Sequence, residues 1–403
     1  MDLLESELSV IKSSVIDSLL NSLDTGIFEN RTSVAYVQAY SKVLEAADID
    51  ENCKYLYNYY KKIITDYTEK VVKRELLQLR GEELLKKLLL RWQNHKMLVY
   101  WMRKFFYFLD RYYIKNTNLP SLFLAGMTIF KSQVFNQIKV HLCNALIDQI
   151  NNERNGAYID INTIKETLLC FAQLGCDKFS IENTGGKFLW IGQPNLDLYH
   201  EEFENIFLEK TKEFYISKSQ QWITSMSCPE YLHAVNQAFA NEERRLQEYL
   251  EPCTKDPLMK IVINELVANN ARAVLEMPGT GFEDMLKNGK IDELKLMFSI
   301  FRNHEPSLNI IAAKLSFYLE TREGLIVNDP KLQEAMKEFT NRLSIFKDEI
   351  DEMIKYSFEN HSLFQRLRDM SFQNFMNRCP YLAQYAASNC DHKMKKGLED
   401  ISE

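Results

Sequence analysis

The sequence predicts an all-α fold, and three observations carry this prediction. Gly (13) and Pro (9) are scarce among the 403 residues. Ordinary usage is about 7% and 5%, and sheet folds need both residues in their turns. Apolar residues make up 46% and aromatic residues 12% of the chain, which favours filled cores over disorder. Apolar positions recur at helical steps, and we expect no strand pair with hairpin chemistry. A chain of this length predicts two to four units.

The helices are expected in close succession. Residues 3–22 and 31–47 alternate apolar and polar positions, and residues 52–116 form two or three helices. The most aromatic tract, Arg91 to Tyr113, carries two parallel rows at helical spacing, Met97, Trp101, Phe105, Phe108 and Tyr112 beside Leu98, Met102, Leu109 and Tyr113. A helix this apolar must be covered on more than one side. It therefore belongs inside a multi-helix bundle.

Capping and breaking residues place the remaining helices. Pro120 precedes a helix from about 121 to 153, and Gly156 ends it. Thr163-Ile-Lys-Glu166 and Ser227-Cys-Pro-Glu230 are capping boxes that open helices, and residues 176–197 form the loosest segment. Further helices are predicted at about 198–226, 258–276, 281–288, 291–303, 306–321, 330–357 and 361–377.

Composition and spacing exclude several classes of function. A net charge of −7, from 49 basic and 56 acidic residues, argues against nucleic-acid binding. No apolar run approaches the ~20 residues that cross a bilayer. The eight Cys are scattered and form no Cys-x-x-Cys pair, and the N-terminus is acidic. These two features indicate reduced thiols of an intracellular protein, cytoplasmic or nuclear.

No residue pattern predicts catalysis, a cofactor or a metal. The seven His residues have no ligand spacing with one another or with Cys, and the Gly279 to Lys290 region fails the phosphate-loop pattern. Cys228 lies at a helix start, where the dipole lowers a thiol pKa, but without a partner His we favour a structural thiol. The run Glu242-Glu-Arg-Arg245 is predicted to be a solvated helix face with i,i+4 pairs.

One stripe near the N-terminus has two interpretations. It consists of Tyr36, Val37, Tyr40, Val43 and Leu44. The stripe is either buried within the bundle or a docking face. Tyr suits a docking face because its amphipathic ring tolerates water before a partner arrives.

An ordered set of motifs resembles the N-terminal region of cullins, the scaffolds of multi-subunit ubiquitin ligases, and is most similar to the cullin-1 type of plants. The set begins with Arg91-Trp-Gln-Asn-His-Lys96 and Phe105-Phe-Tyr-Phe-Leu-Asp-Arg-Tyr112. It continues through Glu153-Arg-Asn-Gly156, Tyr199-His-Glu-Glu-Phe203, Ser227-Cys-Pro-Glu-Tyr231, Glu242-Glu-Arg-Arg245, Asp292-Glu-Leu294, Ser357-Phe-Glu-Asn-His361 and Lys395-Lys-Gly397. The motifs are collinear from about residue 30 to 397.

The resemblance implies an elongated stalk of three stacked cullin repeats, each a five-helix bundle. The expected repeats are residues 1–156, 157–277 and 278–390, with residues 391–403 beginning a further segment. The first repeat of the family docks a BTB-fold adaptor, which in cullin-1 types carries F-box proteins. The docking pattern Tyr-x-x-x-Tyr-x-x-Val falls on Tyr36, Tyr40 and Val43, with Val37 between them. The fifth-helix contacts fall near Leu122, Phe123 and Met127.

The resemblance therefore implies a non-catalytic scaffold of an SCF-type cullin-RING ubiquitin ligase. Two departures stand out. The sequence reads Leu44-Glu-Ala-Ala47 where the family continues with aromatic residues, and it stops after Lys395-Lys-Gly397, before the half that binds the RING-box subunit. We expect either a fragment or a natural short form that competes for adaptor. A helical-bundle vesicle tether is a third alternative, which the acidic balance disfavours.

Overall fold

The all-α prediction is confirmed by the computed structural model, which describes residues 8–26, 33–46, 50–176, 179–184, 187–192, 195–327 and 336–378. The α-helices are α1 (Asp17–Thr25), α2 (Ser33–Ala46), α3 (Asp50–Tyr67), α4 (Arg74–Gln78), α5 (Gly81–Phe105), α6 (Leu122–Phe130), α7 (Asn136–Arg154), α8 (Ile161–Gly175), α9 (Asp197–Tyr199), α10 (Asn205–Ser225), α11 (Cys228–Glu248), α12 (Lys255–Ile263), α13 (Ala271–Leu275), α14 (Phe282–Lys287), α15 (Ile291–Phe301), α16 (Glu305–Val327), α17 (Met336–Tyr356) and α18 (Ser362–Arg378). The start of the helix predicted at about 330–357 and the segment 391–403 lie outside the described residues.

Several helices are joined by wider or tighter helical turns. The π-helical segments are Lys12–Ile16, Thr68–Lys73, Leu109–Tyr113, Lys131–Phe135, His200–Glu204 and Asn264–Ala268. The 3₁₀ segments are Ile114–Asn116 and Pro252–Thr254. The long helix expected from about 121 to 153 is confirmed as a continuous run from α6 through a π-helical segment to α7.

The expectation of no hairpin was wrong. Strands β1 (Phe179–Thr184) and β2 (Lys187–Gly192) pair in antiparallel register, with Phe179 opposite Gly192 and Thr184 opposite Lys187. Two residues, Gly185 and Gly186, separate the strands in the sequence. A Gly-Gly pair is itself a hairpin signal, which the prediction of a loose segment at residues 176–197 leaves out.

The chain divides into two compact units. Unit 1 comprises Met1–Lys210 with Arg244–Thr254, and unit 2 comprises Thr211–Glu243 with Lys255–Glu403. The three repeat boundaries at about 156, 277 and 390 stay a prediction.

Helix α5 forms the centre of unit 1 and ends earlier than the aromatic tract suggests. It stops at Phe105, because Phe106 leaves helical geometry at φ −101° and ψ 18°. The inward face is the second predicted row, since Leu98, Met102 and Leu109 are buried whereas Tyr112 is exposed. The tract is therefore covered on one side more completely than on the other.

The two capping predictions have different outcomes. Helix α8 begins at Ile161, before Thr163. The Asp160 carboxylate accepts hydrogen bonds from the Thr163 backbone N–H at 3.2 Å and from the Thr163 hydroxyl at 2.7 Å. Asp160 is therefore the N-cap, a position that Asp favours strongly. At the start of α11, the Ser227 backbone N–H donates to the Glu230 carboxylate at 2.8 Å, which confirms this half of the predicted box.

Candidate docking surface

Helix α2 presents one apolar face to solvent and another to the core. Val37 is 63% exposed and Leu44 39% exposed, and Tyr40 lies at an intermediate position. These three residues are spaced i, i+3 and i+7, so they share one face of the helix. Val43, three residues after Tyr40, is fully buried. We call Val37, Tyr40 and Leu44 the α2 face.

The remaining predicted contacts fall into two groups. Tyr36 is a residue of helix α2, and its side chain lies outside the described part of the structure. Leu122, Phe123 and Met127 are all buried in α6. They fill the core of unit 1 in the free chain and offer no exposed surface to a partner.

The start of α6 is held by several hydrogen bonds. The Leu122 backbone N–H donates to the Asp110 carboxylate at 2.9 Å, and the Leu122 carbonyl accepts from the Tyr60 hydroxyl at 2.7 Å. The Ser121 hydroxyl caps the helix by accepting from the Leu124 N–H at 3.2 Å. Helices α2 and α6 each pack against α5. The two predicted contact segments thus share a supporting helix within unit 1.

The Arg91 to Lys96 motif forms the hydrogen-bonded interior of unit 1. The buried Arg91 guanidinium donates to Glu75 at 2.5 Å, to Asp24 and to the Tyr67 hydroxyl. The Trp92 indole N–H donates to Gln173 at 2.9 Å. Each of these bonds joins residues distant in sequence, so the motif ties separate helices together.

His95 in the same motif is buried among aromatic rings. Its Nε2 lies 3.0 Å from the Gly126 carbonyl, and its ring centroid lies 4.7 Å from that of Phe130. Burial lowers the pKa of His95 to about 4. The imidazole is therefore neutral near pH 7 and donates to Gly126 from Nε2. It lies inside the bundle and takes no part in the α2 face.

The prediction of a solvated face at Glu242 to Arg245 was wrong for two of its four residues. Glu242 and Arg245 are buried. In unit 1, Arg245 donates to the Glu153 carboxylate at 2.9 Å, and Tyr249 donates to it at the same distance. These bonds, together with Arg244, lower the pKa of Glu153 against the opposing effect of burial. The charge run was misinterpreted because its partner lies about ninety residues away.

Two other sequence interpretations can be compared with the structure. Burial raises the pKa of Cys228 to about 12, which supports a structural rather than a reactive thiol. The Gly279 to Lys290 region, which fails the phosphate-loop pattern, begins in a turn between helices. None of the helices within the described ranges is long and apolar enough to cross a bilayer.

Sequence spacing did not reveal one group of ligand-type side chains. His200, Glu204 and Cys253 bring one donor atom each to within 4.8 Å of one another in unit 1. Cys253 is remote from the other two in sequence, so no local motif could have signalled the group.

Comparison with known proteins defines the class of this helical fold. A family model described as the cullin alpha solenoid domain matches residues 16–403. The chain therefore belongs to the cullin family, which confirms the resemblance at family level.

The matches cover similar shares of this chain but different shares of the individual relatives. Cullin-3 of Dictyostelium discoideum is 29% identical over 351 residues, which are 86% of this chain and 43% of that relative. Cullin-2 of Arabidopsis thaliana is 25% identical over 364 residues, which are 85% of this chain and 46% of the relative. Cullin-like protein 2 of A. thaliana is 28% identical over 352 residues, or 87% and 86% of the two chains. The chain spans about half the length of the first two. These names do not single out the cullin-1 type.

Proposed function

We propose that the chain is a non-catalytic scaffold of an SCF-type cullin-RING ubiquitin ligase and binds a BTB-fold adaptor through unit 1. The observation that carries the proposal is the α2 face, which exposes Val37 and Leu44 on a helix whose Val43 is buried. An exposed apolar patch rimmed by polar residues is typical of an interaction site. Family membership supplies the class of partner.

The proposed contact is narrower than the predicted set of seven residues. Val37 and Tyr40 belong to the α2 face, and Leu44 extends it by one helical turn. Val43, Leu122, Phe123 and Met127 belong to the core, because their side chains are buried in the free chain. Exposed Gln38 and Glu45 flank the apolar stripe, as a polar rim surrounds the apolar centre of an interface.

The proposal also specifies the type of adaptor. We propose an adaptor that carries F-box proteins, as the cullin-1-type motifs imply. The relatives named Cullin-3 and Cullin-2 make a comparison of adaptor types necessary. A RING-box subunit would bind only through a C-terminal half, for which the longer relatives have sufficient length. The proposed location is the cytoplasm, the nucleus or both.

The test is a calorimetric titration of the 403-residue chain with two adaptors in parallel. One is a BTB-fold adaptor bound to an F-box peptide, and the other is a BTB-domain protein that binds without an F-box partner. We expect submicromolar binding to the first, abolished by Tyr36→Ala combined with Tyr40→Ala at unchanged helicity. Loss of a central Tyr anchor costs ~2 kcal/mol or more in such interfaces. Binding to neither adaptor would refute the proposal, and binding to the second alone would reassign the adaptor.

A competitor is the second candidate function. The match covers 86% of cullin-like protein 2 but less than half of Cullin-3 and Cullin-2. A chain that binds adaptor without recruiting a ubiquitin-conjugating enzyme would sequester substrate receptors. Added to a reconstituted cullin-RING ligase, it should then inhibit substrate ubiquitination in proportion to the adaptor it captures. Unchanged ubiquitination at saturating adaptor occupancy would eliminate this candidate.

A further inference from the structure

The cluster of His200, Glu204 and Cys253 has the composition of a metal site. His200 and Glu204 occupy positions i and i+4 of one helical segment, so both side chains lie on the same face. Cys253 belongs to the 3₁₀ turn Pro252–Thr254 of the same unit. We infer that these three residues bind a divalent transition metal, with Zn²⁺ the ion that fits best. The inference is independent of the proposed adaptor binding.

The donor set selects the kind of ion. One imidazole, one carboxylate and one thiol match the nitrogen, oxygen and sulfur ligands that Zn²⁺ accepts, whereas Mg²⁺ and Ca²⁺ prefer oxygen alone. Bonds of about 2.0–2.3 Å in a tetrahedron place ligand atoms roughly 3.3–3.8 Å apart. The donors now lie within 4.8 Å of one another. His200 Nδ1 and Glu204 are in hydrogen-bond contact, so a metal must separate these two atoms, while no donor pair has to close by more than ~1 Å. Exposed Cys253 and partly exposed His200 have room for these adjustments.

Glu204 is already oriented for this role. Its side chain is buried, and one carboxylate oxygen accepts from the Thr254 hydroxyl at 2.6 Å. The Thr254 hydroxyl also lies 2.8 Å from the Tyr199 hydroxyl. The second oxygen of Glu204 faces the His200 ring. Outer hydrogen bonds of this kind fix ligand orientation in metal sites.

The charge of the cluster also favours a cation. Among the described ion pairs, Glu204 has His200 as its partner and no Lys or Arg. A buried carboxylate is costly without a compensating charge. A dication bound by one carboxylate and one thiolate makes the site neutral. The partial exposure of His200 and Cys253 leaves a fourth position open to water, as in zinc sites with three protein ligands.

The rival explanation is a structural His200–Glu204 pair with Cys253 as a bystander. Metal titration separates the two, using the tag-free, reduced 403-residue chain after dialysis against a chelator. We expect one saturable Zn²⁺ site by calorimetry, and a thiolate-to-metal charge-transfer absorption when Co²⁺ replaces Zn²⁺. Cys253→Ser and His200→Ala should each weaken Zn²⁺ binding by at least about 100-fold, since even outer-shell changes cost 10–100-fold. Zn²⁺ should also raise the melting temperature of the unsubstituted chain.

His141→Ala is the matched control, because His141 is a partly exposed histidine of the same unit outside the cluster. It should bind Zn²⁺ as the unsubstituted chain does, and Mg²⁺ should produce no heat of binding in any variant. Far-ultraviolet circular dichroism checks that each variant keeps its helices. Absence of saturable Zn²⁺ uptake would overturn the inference. Equal Zn²⁺ affinity in Cys253→Ser, His200→Ala and His141→Ala would also overturn it, because the metal would then bind elsewhere.

Discussion

His95 shows how one residue of a family motif supports the fold. Its ring packs on Trp92 and Phe130, and its Nε2 contacts the Gly126 carbonyl. Nδ1 has no hydrogen-bond partner among the described residues. Protonation would place a charge in this apolar site, which is why the pKa falls to about 4. The motif is therefore a set of packing and hydrogen-bonding residues.

A pH-dependent loss of stability follows from this burial. Unfolded histidine has a pKa of about 6.5, so the unfolded chain binds the proton first as the pH falls. The contribution of His95 is fully present above pH 6.5 and is lost progressively toward pH 4. Between pH 7.5 and pH 5 we expect a loss of about 2 kcal/mol in the free energy of unfolding. Urea denaturation at both pH values measures it.

Two variants isolate the effect of His95 from other titrating groups. His95→Gln keeps an N–H that can donate to Gly126 but does not titrate, so its stability should change less between pH 7.5 and pH 5. His233→Gln removes an exposed histidine and should behave like the unsubstituted chain. Equal pH dependence in all three chains would show that burial of His95 does not control acid stability.

At the scale of elements, the helices were predicted and the hairpin was missed, although its Gly-Gly turn is a local signal. Helical spacing and capping residues are local signals, so the continuous run across α6 and α7 and the start of α11 followed from sequence. Strand pairing depends on partners that local periodicity does not identify. The same limit applies to Arg245, whose partner Glu153 is distant in sequence. The α2 face was open to two interpretations because only packing decides which side of a helix is covered.

Close packing between α6 and its neighbours yields a prediction at this scale. A Cβ atom on Gly126 would lie 2.7 Å from Val99 Cγ2 and 2.9 Å from the Tyr60 hydroxyl. Both are nearer than real Cβ contacts, so Gly126→Ala must displace core side chains. We expect a loss of ~1–3 kcal/mol in the free energy of unfolding, measured by urea denaturation.

Gly324 in α16 provides the matched substitution. Apart from its chain neighbours and its own helix backbone, no atom of the described residues lies within 4 Å of a Cβ built at Gly324. Gly324→Ala should therefore raise stability by ~1 kcal/mol, because Ala is the better helix former. Opposite signs for the two Gly→Ala changes would support the packing described for α6. A stabilising effect at Gly126 would contradict it.

At the scale of the whole molecule, family membership and fold class were predictable, while the subtype was not. Collinear motifs extend along most of the chain, and the family model matches residues 16–403. The cullin-1 type depended on a few positions and is not singled out by the relatives. The cluster at His200 was missed entirely, because its third member joins it only after folding.

The central claim is that the α2 face binds an adaptor, and two valines with almost equal exposure test it most directly. Val37 is 63% exposed on α2, and Val140 is 64% exposed on α7 of the same unit. Val37→Asp and Val140→Asp therefore add the same charge at comparably exposed sites. Calorimetric titration with the F-box-bound adaptor should show at least about tenfold weaker binding for Val37→Asp, or ~1.4 kcal/mol, and unchanged binding for Val140→Asp. Unchanged affinity of Val37→Asp for an adaptor that the unsubstituted chain binds would contradict the claim.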